Sequence, residues 1–385
     1  MKAYDFIITG AGAAGLSLAY RLITGPLNDR RILLIDKDQK QANDRTWCFW
    51  ADRPTTFDPV VSHTWHQVSI INNDYAKVSN LEPYTYRMIR ASDFYAFVFD
   101  ELNRHPNVTF VQAPVQAITE NGQGAVVTAG GQQYAGQYAF DSTFQPADFR
   151  PDPARYHRIM QHFLGWVIET PEDVFNPQSV TMFDFRTPQC GAMRFLYLLP
   201  FSTRHALVEY TLFSAQLLSQ EEYQQGIRDY LRDVLQIQNY TIVETEQGII
   251  PMTDMPFERR PSRHVLNIGT KGGRVKPSTG YSFYRTQKDT AAIVNSLQKY
   301  GHPFNIPGDS NLYRYLDSIM LNLMLRRGDD MAHIFTELFK NNSIQRIFRF
   351  LDEEAGLPEV LRVVGSVPPA PFLQAWLRLK VLRRL

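Results

Sequence analysis

Residues 4–24 read YDFIITGAGAAGLSLAYRLIT and residues 31–36 read RILLID. The first seven form a short apolar β run, and Leu16, Ala19, Tyr20 and Ile23 then repeat at helical spacing. After the turn residues GPLNDR at 25–30, a second buried-strand pattern ends in Asp36. Strand, turn, helix, strand is a βαβ unit, and its turn carries Gly10, Gly12 and Gly15 in the order G-x-G-x-x-G. The first glycine allows the tight turn, the second lets a pyrophosphate approach the backbone, and the third lets helix pack on strand. The phosphate charge then faces a helix N-terminus. Asp36 closes the second strand, where a carboxylate can bind a ribose hydroxyl, with Lys37 following it. A dinucleotide site is therefore expected at Gly10, Ala11, Gly12, Ala14, Gly15, Asp36 and Lys37.

The rest of the chain tells which dinucleotide. At 264–281 a strand enters another glycine loop and a helix leaves it. Such a late return is the habit of FAD proteins, whereas NAD dehydrogenases usually continue into a second large parallel sheet. It is expected to bring Gly269, the backbone amides of Gly272 and Gly273, and a helix start near Pro277, Thr279, Gly280 and Tyr281 to the phosphates or the flavin ring. A helix N-terminus there would stabilise a reduced flavin's negative charge. Between these loops, 91–104 reads as a helix and 107–143 as strands of a smaller sheet. Long β runs fill 165–214, and helical patterns dominate from 312, with Leu312, Leu316, Ile319 and Leu323 on one stripe.

Composition bounds the function. A chain of 385 residues, 44% hydrophobic and 21% charged, suits a folded protein with two or three cores. A formal net charge of +1 lacks the basic field of a nucleic-acid binder. Cys48 and Cys190 make neither a disulfide framework nor a zinc spacing, so a reducing cytoplasm is expected. His157, His162 and His205 lack the clustering of a metal site, and no metal is expected. No apolar run is long enough to span a membrane. The C-terminal PFLQAWLRLKVLRRL at 371–385 carries Arg378, Lys380, Arg383 and Arg384 without an acid. It can dock on anionic headgroups or pack as a terminal helix, since its apolar residues point nearly all round.

One carboxylate stands out. In RHALVEYTLFS at 204–214, Ala206, Val208, Tyr210 and Leu212 share one face of a strand, and Leu207, Glu209, Thr211 and Phe213 the other. Neither face suits water. Glu209 is either a structural carboxylate, held by an arginine or reaching solvent past the sheet edge, or a catalytic acid. Asp184 and Arg186 in FDFRT are expected to pair with each other, and Arg90 to reach the cofactor or make a surface ion pair. Phe183, Phe185, Phe195 and Tyr197 can line a tunnel or fill an ordinary core.

NDRTWCFW at 43–50, LPFSTRHALVEYTLFS at 199–214, EQGIIPMTD at 246–254 and GGRVKPSTGYSF at 272–283 together resemble the lycopene cyclase family. They keep the family's order over nearly the first 300 residues. The resemblance implies an α/β (α+β) fold of the p-hydroxybenzoate hydroxylase type, a Rossmann-like FAD domain with an antiparallel β substrate domain and a C-terminal helical region. Its expected limits are 1–75 and 76–150 for the FAD domain, 151–260 for the substrate domain, 261–300 for the closing segment of the FAD domain, and 301–385 for the helical region. It also brings Arg45 and Trp47 to the FAD and puts Glu209 at the family's essential carboxylate. Tyr210 follows where the family motif has a second glutamate, Lys276 stands where many relatives have histidine, and Thr253 where plant relatives have glycine.

The implied reaction protonates the C1–C2 double bond of an acyclic lycopene end, either from Glu209 or from protonated reduced flavin with Glu209 stabilising the cation. The C5–C6 double bond attacks the resulting cation, and proton loss closes a ring, most readily the β ring of γ- and β-carotene. The net change is isomerisation, with FAD acting in reduced form, NAD(P)H as reductant and a membrane surface as the source of lycopene. Alternatives on the same fold are an FAD-dependent monooxygenase, an isoprenoid reductase, and a non-catalytic carotenoid or FAD carrier.

Overall fold

The structure, a computed structural model, describes residues 3–145 and 150–382. The chain begins with β1 (Ala3–Thr9), α1 (Ala13–Ile23) and β2 (Ile32–Asp36), the βαβ unit expected from the glycine turn. There follow β3 (Thr46–Ala51), β4 (Val61–Trp65), a hairpin of β5 (Gln67–Asn72) and β6 (Tyr75–Asn80), then β7 (Thr85–Arg90) and α2 (Ala91–Leu102). Next come β8 (Val108–Gln112), β9 (Val115–Glu120), β10 (Ala125–Ala129) and β11 (Gln132–Asp141). The long β runs are β12 (Arg158–Glu169), β13 (Ser179–Asp184), β14 (Met193–Pro200) and β15 (His205–Ser214). After α3 (Gln220–Asp229) come β16 (Thr241–Thr253), β17 (Val265–Asn267) and α4 (Phe283–Tyr300). The chain closes with α5 (Asn311–Arg326), α6 (Met331–Lys340), α7 (Ile344–Leu351), α8 (Leu357–Val364) and α9 (Pro369–Leu382).

The first sheet has seven strands, in the order β8-β2-β1-β11-β10-β9, with β17 beside β11. Strands β8, β2, β1, β11 and β17 run parallel, while β9 and β10 are antiparallel. The smaller sheet expected over 107–143 is thus not separate. The first half of β11 pairs with β10 and its last three residues with β17. One ten-residue strand therefore carries both a meander and the parallel core. Helices α1, α2 and α4 pack on one face through Leu16, Leu18, Phe94, Val98 and Ile293. A three-stranded sheet, β3-β7-β4, stands beside them.

The second sheet runs β16-β12-β15-β14-β13-β5-β6. The hairpin β5–β6 belongs here, because β5 pairs in parallel with β13. A boundary at residues 75 and 76 would cut through β6, and local periodicity cannot reveal a partner more than 100 residues away. One face of this sheet packs on α3 through Trp166, Val208, Tyr210, Tyr223 and Ile227. The other packs on the C-terminal helices through Phe183, Phe195, Phe213, Leu321 and Phe335. Both faces are covered, which is why β15 shows no water face. On α5, Ile319 and Leu323 are buried as the stripe requires, but Leu312 is exposed.

Candidate functional site

At the carboxyl end of β1 the chain turns through Gly10 at φ +91°, a conformation that favours glycine. A Cβ on Gly15 would lie 1.9 Å from the Gly10 carbonyl oxygen, so only glycine lets α1 approach this closely. A Cβ on Gly12 would meet nothing within 4 Å, which leaves the cradle open above the N-terminus of α1. No side chain caps that helix. Asp36 accepts a 2.6 Å hydrogen bond from the Ala11 amide, so one carboxylate oxygen braces the loop. Lys37 is exposed just beyond it. The second glycine loop arrives here as well: Gly269, at φ +59°, stands so near α1 that a Cβ would come within 2.8 Å of Ala14 Cβ. Gly10, Ala11, Gly12, Ala14, Gly15, Asp36 and Gly269 therefore form one cradle.

A cavity of about 110 Å³ lies farther along, between the second sheet and the segment before α4. Trp47, Thr279, Gly280, Tyr281 and Glu209 line it together. Trp47 stacks on Phe283 at 5.4 Å. Gly280 has φ +74°, and a Cβ there would sit 1.9 Å from Gln161 Oε1. Among the described residues that oxygen is buried with no hydrogen-bond partner, on a side chain that lines the cavity. The open cradle and this orphaned acceptor fit a long dinucleotide.

Other expected contacts fall elsewhere. Helix α4 begins at Phe283, after Pro277–Gly280, because the amides of Thr279 and Gly280 both donate to the Lys276 carbonyl within a turn. The Gly272 amide donates to Ile268 and Gly269, and the Gly273 amide to Thr270. These amides are used within the turn, and Gly272, Gly273 and Pro277 line a separate polar cavity of about 170 Å³. Arg45 is exposed and bonds the carbonyl of its neighbour Asp44 at 2.7 Å. Arg90 pairs with Glu244 at 2.8 Å. Asp184 pairs with Arg186 at 2.6 Å and also accepts from Tyr230 at 2.8 Å.

Glu209 is buried, and among the described residues no arginine pairs with it. Its register partners are Tyr197 on β14 and Gly165 on β12. Across Gly165, on β16, stands Glu246. Thr211 donates to Glu209 at 2.5 Å and Thr46 to Glu246 at 2.5 Å. The carboxyls also bond to each other. Burial and the neighbouring Glu246 charge push the Glu209 carboxyl well above the usual range, and burial raises Glu246 too. Both carboxyls are thus raised, chiefly by burial, and each acts on the other. Sequence reading missed Glu246. A glycine interior to a strand, here Gly165, is the available signal, since it marks a close approach.

A second cavity, about 330 Å³ and mostly apolar, meets the first at Tyr197, Thr279 and Tyr281. It runs between the second sheet and the C-terminal helices as far as Val364, Leu373 and Trp376. Phe183 lines it with Tyr197, while Phe185 and Phe195 are packed in the core. Lys276 is buried at its wall and pairs with Asp317 at 3.2 Å and Glu353 at 3.0 Å. Leu357, Leu361 and Val364 of α8 and Leu373 and Leu377 of α9 are exposed, and Val364 and Leu373 belong both to this surface and to the cavity wall. Arg362, Arg378 and Lys380 are exposed on the same two helices. Arg383 and Arg384 lie outside the described residues.

The profile of the family described as "Lycopene cyclase protein" matches residues 5–377. A lycopene beta-cyclase of Paracoccus sp. is 26% identical, the alignment covering 96% of this chain and 95% of that protein. The neoxanthin synthase of Solanum tuberosum is 25% identical over 77% of this chain and 61% of its own length. The lycopene beta cyclase of an Oncidium hybrid is 24% identical over 77% and 64%. The chain thus spans about three fifths of the length of these plant relatives. Among solved structures, a geranylgeranyl bacteriochlorophyll reductase-like protein of Thermoplasma acidophilum superposes with TM-score 0.61 at 10% identity, covering 99% of this chain and 100% of that one. A flavin-dependent brominase superposes with TM-score 0.57 at 15% identity, over 99% and 100%. These likenesses define the fold as that of the flavoprotein oxidoreductases.

Proposed function

This chain belongs to the lycopene cyclase family, and from that premise we propose that it closes the acyclic ends of lycopene into β rings without net redox change, giving γ-carotene and β-carotene. FAD would occupy the cradle at Gly10, Gly12 and Gly15 and extend past Gly269 to the cavity at Trp47, Gly280 and Tyr281. In reduced form, replenished by NAD(P)H, it would supply negative charge beside the developing cation.

One observation carries this reading: a glutamic acid whose carboxyl burial pushes well above the usual range lines a cavity that meets a larger, mostly apolar one at Tyr197, Thr279 and Tyr281. An alkene is a poor base, so its protonation needs an acid that stays protonated near neutrality yet has little water to level it. Burial supplies both conditions. Glu209 donates the proton at C2, and the carboxylate left behind faces the cation. Tyr197, Tyr86 and Tyr281 stay neutral, because burial raises all three phenols. The apolar wall excludes the water that would trap the cation as an alcohol.

The surface of α8 and α9 supports a place at a membrane in the cytoplasm. No helix among the described residues is long and apolar enough to cross one. A cavity of about 150 Å³ admits benzene, so about 330 Å³ accepts roughly 13 carbons, far fewer than lycopene carries. The remainder of the polyene would stay in lipid at the mouth flanked by Val364 and Leu373, with Arg362, Arg378 and Lys380 toward anionic headgroups.

The deciding experiment incubates the FAD-loaded protein with lycopene and a flavin reductant under nitrogen. A cyclic product of unchanged mass is expected. Gain of oxygen on admitting air would instead mean a monooxygenase, gain of two hydrogens a reductase, and unchanged lycopene a carrier.

A further inference from the structure

We propose that Glu209 and Glu246 hold one proton between them across the space left by Gly165, and that Glu246 is the positioning residue that keeps Glu209 loaded for each turnover. This rests on the cyclisation reading above, but its geometry stands independently. Strands β15 and β16 are not neighbours, since β12 lies between them. Two strand spacings are about 9.5 Å, so two glutamates can meet only by leaning over the middle strand. Gly165, the register partner of both, makes that possible. A Cβ on Gly165 would lie 3.1 Å from Glu246 Cγ and 3.4 Å from its Oε1, which places the Glu246 side chain directly above the glycine.

The two residues differ in their access to water. Glu209 is buried, whereas Glu246 is half-buried beside the partly exposed Glu244, Arg90 and Thr46. The other titratable groups facing Glu209 are Tyr197, Tyr281 and Cys48, and burial holds all three neutral at pH 7. Among the described residues Glu246 is therefore the carboxylate charge acting on Glu209, with the Glu244–Arg90 pair behind it. Two like charges this close cannot both ionise cheaply, so the pair retains one proton. Donation to C2 leaves both carboxylates charged beside the cation. The proton released on ring closure balances the one donated, and the pair is reloaded in exchange with water through the half-buried Glu246.

The test is Glu246→Gln, read in two ways. Removing the Glu246 charge lowers the proton affinity of Glu209. In isotope-edited infrared spectra of the FAD-loaded protein without lycopene, wild type should show a protonated carboxyl band that Glu209→Gln abolishes. In Glu246→Gln that band should vanish at a lower pH than in wild type. In turnover, the ratio of kcat at pH 6 to kcat at pH 8 should rise at least about fivefold, with KM within about twofold. Gly165→Ala, whose methyl would press on Leu207 Cδ1 at 2.9 Å and Glu246 Cγ at 3.1 Å, should move the band in the same direction by parting the two carboxyls. A band that titrates at the wild-type pH in both variants overturns the proposal. Because the infrared titration needs no substrate, it decides the matter even if wild type fails to cyclise lycopene, an outcome that would overturn the cyclase reading alone.

Discussion

Tyr197 lies opposite Glu209 on the adjoining strand, and its phenolic oxygen is 3.4 Å from that of Tyr281. The acid and the segment before α4 are thereby tied together at the point where the two cavities meet. The cavity that Glu209 lines and the larger apolar one thus share these two rings as a common wall.

Glu209→Gln keeps volume and much of the hydrogen bonding but cannot protonate an alkene. The variant should fold, bind FAD and leave lycopene acyclic, with kcat down by about 100-fold or more, equivalent to roughly 2.7 kcal/mol of barrier. Tyr210→Phe is the neighbour control, since Tyr210 points to the opposite face against Gly226 of α3. Near-normal cyclisation by Glu209→Gln would move the proton source elsewhere.

Gly12→Val places branched atoms in the open cradle. Because a Cβ there meets nothing within 4 Å, the protein should fold with an unchanged far-ultraviolet dichroism spectrum. It should purify without flavin absorbance. A yellow, fully loaded variant would show that the pyrophosphate lies elsewhere.

Isotopes test the redox balance. Product formed in deuterated water should carry deuterium at ring C2, and deuterated NADPH should leave none in the carotenoid. Label arriving from NADPH would mean hydride transfer and exclude a redox-neutral route.

Leu361 and Leu373 are 64% and 57% exposed, so replacing both by Asp should leave the fold intact. Binding to vesicles containing anionic lipid should weaken at least about tenfold in a flotation assay. Undiminished flotation would remove α8 and α9 as the docking surface.

Asp352 gives stability its own pH dependence. Burial pushes this carboxyl up to about 7 from 3.8, although Trp50 donates to it at 2.6 Å. The folded state thus binds the proton more tightly than the unfolded chain, so this contribution is full below pH 4 and is lost as pH rises to about 7. The upper bound is about 4 kcal/mol. Asp352 is only half-buried in the fold, so about 1–2 kcal/mol is expected. Asp352→Asn keeps an acceptor for Trp50 and should stabilise the protein at pH 8 while flattening the slope. Urea unfolding at pH 5 and pH 8 checks it, and equal slopes in both proteins would refute it.

What could be read from sequence was what neighbours in sequence decide. Gly10, Gly12, Gly15 and Asp36 lie within one βαβ unit, and their spacing alone implied the cradle. Glu209 announced itself because its strand has no polar face. Glu246 did not, since TIVETEQGII alternates like an ordinary half-exposed strand, and its meaning comes from the register that sets it over Gly165. Pro277 and Gly280 suggested a helix start, but the turn they build uses the amides such a start would have offered. The docking of β5 on β13 was equally hidden, because hairpin periodicity says nothing about which sheet a hairpin joins.

That hairpin also sets a timetable for synthesis. On the ribosome, the hairpin of β5 and β6 emerges about 100 residues before β13, the parallel partner of β5, and β1 waits still longer for β11. Until then both carry unpaired strand edges, the kind of surface on which chains stick to one another. Strands of the two sheets alternate along the chain, so truncation before β17 leaves the first sheet incomplete and truncation before β16 leaves both incomplete. The protein has to fold late and largely at once, and its yield in a cell is governed by how well those early strands are sheltered while the rest arrives.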